Sequence, residues 1–436
     1  MKYHITTYGC QMNLHETEKI AGILREEGYD ESSSMEEADI IVFNTCCIRE
    51  NAENHAFGNI GALKKLKREK KGLIIAVGGC MVQEEGKALA LKEKFPFIDI
   101  LFGTHNLVNL GALIQKKRAQ KKSVIEILDV RAEVEDGIVP VRTSYPNAWV
   151  NITYGCNNFC SYCIVPYVRG REVSREKSEI LCEVTKLCEE GYKEITLLGQ
   201  NVNSYLASDG TRFYELLDEV AALANGVRIR FMTSHPKDFS AELVQVMKAH
   251  DNICKSLHLP AQSGSNRILS LMNRRYTREK YLEDIALLRK EIPDCAVTTD
   301  LIVAFPTETE EDFLQTLSLV KEADLSSAFT FIYSPRTGTK AAAMEGQIPE
   351  DVAKDRIMRL IDCVNENTRK KSAEYVGKTV RVLCEDFDEK RGLYLGRDEY
   401  GRMGYFKSEK NRIGEFVSLR VDHANGISLF GELMGE

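Results

Sequence analysis

The chain has 436 residues, 43% of them hydrophobic and 28% charged, with a formal net charge of −7. That length asks for two or three domains, and that balance excludes a disordered or fibrous chain. The acidic total withholds the overall basic footprint common among nucleic-acid binders, and no window approaches the roughly 18 consecutive apolar residues of a membrane span.

The N-terminus, Met1-Lys-Tyr-His-Ile-Thr-Thr-Tyr-Gly-Cys, lacks the apolar core of a signal peptide. A cytoplasmic chain is expected, in a reducing compartment. There, clustered thiols among the thirteen cysteines serve as metal ligands or catalytic groups more often than as disulfides. Tyr3–Thr7 reads as a strand and ends at Gly9-Cys10. A helical pattern follows, with Ile20, Ile23 and Leu24 on one face. Asp39–Asn44 is an apolar strand ending at Cys46, Leu73–Val77 ends at Gly78-Gly79-Cys80, and Phe97–Phe102 is a fourth. Continuous apolar strands alternating with helices predict a doubly wound parallel α/β domain over about 1–118. Lys64, Lys65, Lys67, Arg68, Lys70 and Lys71 form one basic run, and Lys116, Lys117, Arg118, Lys121 and Lys122 another. Both also fit solvated helix ends.

Residues 119–142 read as a linker ending near Pro140. A second β/α series occupies about 142–372, with strands at Ala148–Thr153, Glu194–Leu198, Val227–Met232, Ser256–Leu259, Val297–Val303 and Ala328–Tyr333. Helices are expected at Lys177–Glu190, Ala241–His250 and Thr277–Lys290. Six such units predict a partial β/α barrel. After its first strand comes Cys156-Asn-Asn-Phe-Cys160-Ser-Tyr-Cys163, a C-x3-C-x2-C loop flanked by Arg169, Arg171 and Arg175. Three thiolates can hold three irons of a cubane cluster and leave the fourth iron open to a chelating small molecule. A zinc knuckle or inert thiols are the alternatives, though no fourth Cys or His follows within the loop.

Residues 374–436 change character. Short alternating strands, Thr379–Cys384, Leu393–Gly396, Met403–Lys407, Phe416–Asp422 and Ile427–Leu433, predict a small five-stranded β-barrel of the nucleic-acid-binding kind. Ten Lys/Arg against twelve Asp/Glu lend no charge support to RNA binding there.

Cys10, Cys46 and Cys80 are distant in sequence, yet each lies just past the C-terminal end of an expected parallel strand, where open α/β sheets place their ligands. They form a second candidate cluster site, with inert buried thiols as the alternative. Cys47 adjoins Cys46 and points elsewhere, so only one of the pair can serve.

Tyr8-Gly-Cys-Gln-Met-Asn, Asn44-Thr-Cys-Cys-Ile-Arg-Glu and Gly79-Cys-Met-Val-Gln resemble the N-terminal domain of the radical S-adenosylmethionine (SAM) methylthiotransferases. Tyr154-Gly-Cys through Ile164-Val-Pro-Tyr-Val-Arg-Gly-Arg-Glu is similar to their radical SAM core, and the tail to a TRAM RNA-binding barrel. Gly199-Gln-Asn-Val-Asn-Ser-Tyr and Thr233-Ser-His-Pro resemble the MiaB-type tRNA branch. The resemblance implies two [4Fe-4S] clusters, one on Cys156, Cys160 and Cys163, the other on Cys10, Cys46 and Cys80. It implies two SAM molecules per turnover, and methylthiolation of position 2 of N6-isopentenyl(dimethylallyl)adenosine beside the anticodon of tRNA. One SAM would be cleaved to a radical that takes the C2 hydrogen, and the other would donate the methyl group. Gln200, Asn201 and Asn203 match the place where such enzymes hold the SAM amine. Gln262, Ser263, Thr299 and Asp300 are candidates for its carboxylate and ribose by position, or satisfied turn and strand-end groups. His235 and His258 read as structural groups or substrate contacts. No side chain is singled out as an acid–base catalyst. Implied partners are the tRNA anticodon loop, an electron donor such as flavodoxin or ferredoxin, and sulfur or iron–sulfur assembly proteins, with no membrane.

One departure is visible. The family's Gly-Phe-Pro-Gly-Glu-Thr appears as Ala304-Phe-Pro-Thr-Glu-Thr, so a modest local change is expected without loss of function. Three other readings stay open: a sister substrate (threonylcarbamoyl-adenosine or a ribosomal-protein aspartate), an iron–sulfur redox protein, and a zinc-stabilised RNA-binding module.

Overall fold

The computed structural model describes residues 1–47, 50–120, 122–129 and 138–435. Ile48 and Arg49 of the Asn44 motif, Lys121 of the second basic run and residues 130–137 of the expected linker lie outside the described residues. The chain divides into two compact units. The first holds Met1–Thr143, Tyr154–Asn157 and Ile164–Val173; the second holds Ser144–Thr153, Asn158–Cys163 and Ser174–Glu436.

The first unit is built on a six-stranded sheet in the order Asp30–Glu31, Lys2–Thr7, Ile40–Thr45, Ile74–Gly79, Ile100–Phe102, Val124–Glu126. Every pairing is parallel. Side chains alternate across a strand, and the sheet uses both faces. Ile40 and Val42 pack with Ile20 and Leu24 of helix Gln11–Glu26 and Leu110 and Leu113 of helix Leu110–Gln120. Ile41 and Phe43 pack with Ile60 and Leu63 of helix Glu50–Glu69 and Leu91 of helix Lys87–Lys94. These four strand residues are fully buried, each stabilising by roughly 1.5–3 kcal/mol. That two-sided burial is why the strands read as unbroken apolar runs. The edge strands Asp30–Glu31 and Val124–Glu126 escaped the sequence reading because two or three residues give no period. The latter lies within the stretch read as linker.

In the second unit, two three-stranded parallel sheets run in the orders Arg228–Phe231, Glu194–Leu198, Asn147–Asn151 and Ser256–His258, Ala296–Val303, Ser327–Ile332. Ile229 joins them, its N–H donating to Asn252 O at 2.8 Å and its carbonyl accepting from Cys254 N–H at 2.8 Å. The result is a six-stranded partial barrel, as the six β/α units predict. Its helices include Lys177–Glu189, Ala241–Ala249 and Arg278–Glu291, the last two started by Ser240 and Thr277 side-chain caps.

Beyond the long helix Glu350–Ala373, the tail closes into a five-stranded barrel: Thr379–Asp388, Leu393–Arg397, Met403–Phe406, Ser428–Leu433, Phe416–Asn425. Arg228 and Arg230 tie it to the β/α core through the carbonyls of Arg397 (2.7 Å) and Asp398 (3.0 Å). Glu194 answers the Arg230 charge at 2.9 Å. Among the described residues no helix is long and apolar enough to cross a membrane.

Candidate active site

Three neighbouring strands of the first unit end at Cys10, Cys46 and Cys80. Glycines bring these ends together. Gly9 has φ 131°, and a Cβ there would lie 2.9 Å from the Cys46 Cβ. Gly79 has φ 96°, and a Cβ there would meet Thr45 O at 2.4 Å. Only glycine tolerates both the dihedral and the approach. Asn13 pins the edge, donating to Thr45 O at 3.2 Å and lying 3.5 Å from the Cys10 thiol. Cys47 is fully buried in the core cluster that also contains Cys80. A hydrogen bond from the Cys47 thiol holds Cys80 low, against its burial, and the nearby Arg169 guanidinium adds to the effect. Arg169 is itself buried and paired to Glu16 at 2.6 Å.

The C-x3-C-x2-C loop is equally well held. In the first unit, Cys156 N–H donates to Gly170 O at 3.1 Å. In the second, Cys163 N–H donates to Cys160 O at 3.0 Å, and Ser161 N–H to Met272 O at 3.0 Å. Cys156 and Cys160 are 7% and 8% exposed, and all thirteen cysteines lie outside disulfides. A tetrahedral zinc with 2.3 Å bonds needs sulfurs about 3.8 Å apart. Among the described residues no three Cys, His, Asp or Glu are gathered to hold one metal ion. A cluster gives each thiolate its own iron, and thiolate sulfur is the donor type a cluster takes.

The strand ends of the partial barrel carry buried polar atoms with no protein partner among the described residues. They are the Asn151 amide at the end of the first strand, Asn201 Oδ1 and both Asn203 amide atoms after the second, and Ser234 Oγ and His235 Nε2 after the third. Gln262 Oε1 follows the fourth. Buried polar groups normally have partners, so this set fits a polar ligand such as SAM. Burial, then Arg274 and Lys237, push the His235 pKa down to about 2, so its imidazole is neutral. Its Nδ1 accepts from Lys237 N–H at 3.2 Å, which leaves the proton on Nε2.

Other candidates are occupied. Thr299 Oγ1 donates to Leu259 O at 2.8 Å and accepts from Ala261 N–H at 2.8 Å and Tyr281 O–H at 3.3 Å. The Thr299 hydroxyl is thus engaged within the fold. Ser263 Oγ accepts from Ser265 N–H at 3.2 Å. Gln200 and Asn201 follow strand Glu194–Leu198, and Asn201 donates to Asp238 at 2.6 Å. Asp300 lies 3.6 Å from His258 Nε2. Asn151 is not among the sequence candidates; it sits at a strand end, the one signal that could have found it.

The small barrel carries an aromatic row. Tyr405 stacks on Phe430 at 5.0 Å, Phe430 on His423 at 4.6 Å, and the Arg391 guanidinium lies 5.2 Å from the Tyr405 ring. Stacked rings with an arginine are the platform on which single-stranded bases stack, beside a positively charged groove for the backbone. The basic runs are partly structural, since Lys67 and Lys117 both pair with the buried Asp99.

Three family models match in succession: Uncharacterized protein family UPF0004 over residues 2–103, the Radical SAM superfamily over 150–320, and the TRAM domain over 373–434. Over 434 residues the chain is 49% identical to the tRNA-2-methylthio-N(6)-dimethylallyladenosine synthase of Caldicellulosiruptor saccharolyticus, covering 99% of this chain and 92% of that one. The chain belongs to this synthase family. The Clostridium botulinum synthase is 49% identical, with 99% of this chain and 96% of its own length covered. The synthase fold extends to more distant proteins. The radical SAM methyltransferase TsrM of Kitasatospora setae, solved with cobalamin and a [4Fe-4S] cluster, superposes with TM-score 0.59 at 14% identity, over 78% of this chain and 74% of that one. The cobalamin-dependent radical SAM enzyme OxsB gives 0.54 at 12% identity, over 84% and 56%. Iron–sulfur and SAM chemistry therefore comes with the family of this synthase.

Proposed function

We propose that this chain is a tRNA methylthiotransferase that converts N6-dimethylallyladenosine beside the anticodon to its 2-methylthio derivative. Family membership names the reaction. The observation that carries the reading on this chain is the set of unpartnered polar atoms on Asn151, Asn203, Ser234, His235 and Gln262 at the strand ends of the core that bears the cysteine loop. When bound, the clusters and SAM supply a carbon radical able to take hydrogen from an aromatic C–H, and the sulfur and methyl group that replace it. The residues do the rest. Cys156, Cys160 and Cys163 hold one [4Fe-4S] cluster, and Cys10, Cys46 and Cys80 a second. Asn203 and Gln262 present amide donors and acceptors to SAM, with Gln200, Asn201, Ser263 and Asp300 around them. His235 Nε2–H donates to a ligand acceptor and, being neutral, adds no charge. Tyr405, Phe430 and His423 stack unpaired bases of the anticodon arm. Two SAM molecules serve each turnover, a flavodoxin or ferredoxin supplies electrons, and iron–sulfur assembly proteins load the sites.

Mass spectrometry of tRNA nucleosides from cells with and without the gene tests this reading. Loss of the methylthio-dimethylallyl nucleoside with accumulation of its unmethylthiolated precursor is expected. Loss of the methylthio-threonylcarbamoyl nucleoside instead moves the assignment to the sister substrate, and an unchanged profile refutes a tRNA role.

A further inference from the structure

Helices Asn266–Leu271 and Arg278–Glu291 are joined by a turn whose backbone is not relaxed. Asn273 and Arg275 sit at φ 58° and 57°, a region costing ordinary residues about 1–2 kcal/mol each. The turn grips the cysteine loop. Asn273 Nδ2 donates to the carbonyls of Asn158 (3.3 Å) and Phe159 (2.9 Å), and Met272 O accepts from Ser161 N–H.

Between the two strained residues stands Arg274, 4% exposed. Its Nη1 lies 3.4 Å from Cys160 Sγ, its Nη2 donates to Pro260 O at 2.7 Å, and its Nε to Tyr276 Oη at 3.0 Å. Among the described residues no carboxylate pairs with it. Arg169, by contrast, has Glu16. A buried charge left unanswered costs several kcal/mol, whereas a thiolate accepting from a guanidinium makes a charge-assisted bond. The sulfur within its reach is that of Cys160.

We infer that Arg274 is a positioning residue for the loop cluster: its guanidinium donates to the Cys160 thiolate and raises the reduction potential of the cluster that thiolate holds. The inference rests on the reading of Cys156, Cys160 and Cys163 as cluster ligands. The physical cause is simple. One electron from a low-potential donor adds one negative charge to the cluster, with no proton needed. A fixed cation donating to a ligand sulfur stabilises that charge more than the oxidised state.

The test uses full-length protein with Cys10, Cys46 and Cys80 replaced by Ala, so that only the loop trio can load. Iron per chain and an EPR-monitored redox titration are measured after anaerobic reconstitution. Arg274→Met should keep iron and shift the reduction equilibrium at least tenfold toward the oxidised cluster, which is 59 mV for one electron. Arg274→Lys, which keeps the charge but loses the planar fork, should fall between. Asn273→Ala, which frees the loop backbone and leaves the charge, should shift it less than threefold. An unchanged potential in Arg274→Met, or an equal shift in Asn273→Ala, overturns the inference. If Arg274→Met cannot hold iron, Arg274→Lys decides, and a wild-type potential there overturns it. A parent that binds no iron at all refutes the cluster assignment instead, so the two failures are distinct.

Discussion

Replacing Ala304 by Gly should stabilise this protein. Ala304 and Thr307, where the resemblance leads one to expect glycines, sit at φ 59° and 67°. The chain has therefore kept the glycine backbone without the glycines. Hydrogen bonds lock the turn: Ala304 N–H to Glu308 Oε1 at 3.0 Å, Thr307 N–H to Gly346 O at 2.8 Å, and Glu308 N–H to Phe305 O at 2.9 Å. Relaxing either residue to negative φ would break them. An L-residue in this region costs roughly 1–2 kcal/mol, and glycine returns roughly 0.5–1 kcal/mol of that as unfolded-chain entropy. Ala304→Gly should therefore gain about 0.5–1 kcal/mol. Thr307→Gly should be near neutral, because Thr307 Oγ1 accepts from Arg267 Nη1 at 3.2 Å and that bond is worth about 1 kcal/mol. Ala304→Val should cost about 2 kcal/mol, since a branched Cβ fits this region worst. The urea midpoint of the apo-protein followed by circular dichroism reads all three. A destabilised Ala304→Gly with an unaffected Ala304→Val would show that the turn carries no strain.

Three further outcomes follow from named contacts. With the loop cysteines replaced by Ala, so that only the first unit is counted, Cys46→Ala should lose most of its iron and Cys47→Ala should keep it; a colorimetric assay showing the reverse would exchange their roles. Glu308 is 3% exposed, and burial pushes its carboxyl up to about 7 from 4.5, against the Ala304 N–H and Arg356. Because the folded pKa is the higher one, its contribution is complete below pH 4.5 and lost as pH rises through 7. The stability penalty of Glu308→Gln should thus shrink by about 1–3 kcal/mol between pH 4.5 and pH 8, and equal penalties at both ends would refute this. Tyr405→Ala and Phe430→Ala should each weaken binding of an anticodon stem-loop RNA about tenfold at fixed salt; an unchanged Kd would remove the aromatic row from the RNA interface.

The sequence carried the architecture where burial is uniform and lost it where function depends on distance. Strands such as Ile40–Thr45 and Ile74–Gly79, buried on both faces, are legible as apolar runs. Cys10, Cys46 and Cys80 could be grouped because parallel strands end on a common edge. Arg274 could not be found that way, for it lies 114 residues from Cys160 on a turn with no pattern of its own. The aromatic row was hidden for another reason. Tyr405, Phe430 and His423 come from three different strands, and the acidic net charge of the tail pointed away from RNA. In the basic runs, Lys67 and Lys117 neutralise the buried Asp99, a pairing that charge spacing alone does not show.

Several strained residues of the second unit lie on the cysteine loop or near core strand ends. Phe159, Thr233, Gln262, Asn273, Arg275 and Ala304 all hold positive φ, on the cysteine loop, the turn that clamps it, or just past core strands. Each costs about 1–3 kcal/mol, and Phe159, Thr233, Gln262, Asn273 and Ala304 are held by specific bonds. Thr233 O accepts from Val202 N–H at 2.9 Å and so places the Asn201–Asn203 segment. Gln262 bridges two strand residues, its N–H donating to Asp300 O and its carbonyl accepting from Ile302 N–H, both at 2.8 Å. A relaxed Gln262 would lose both bonds and carry its side chain elsewhere. The fully buried Ile195, Ile229, Leu257 and Val297 beneath these strand ends contribute roughly 1.5–3 kcal/mol each, enough to offset such strain. The same rigid floor that tolerates the strained residues holds the unpartnered amides of Asn151, Asn203 and Gln262 in place before any ligand arrives, so ligand binding need not bear the entropy of ordering them.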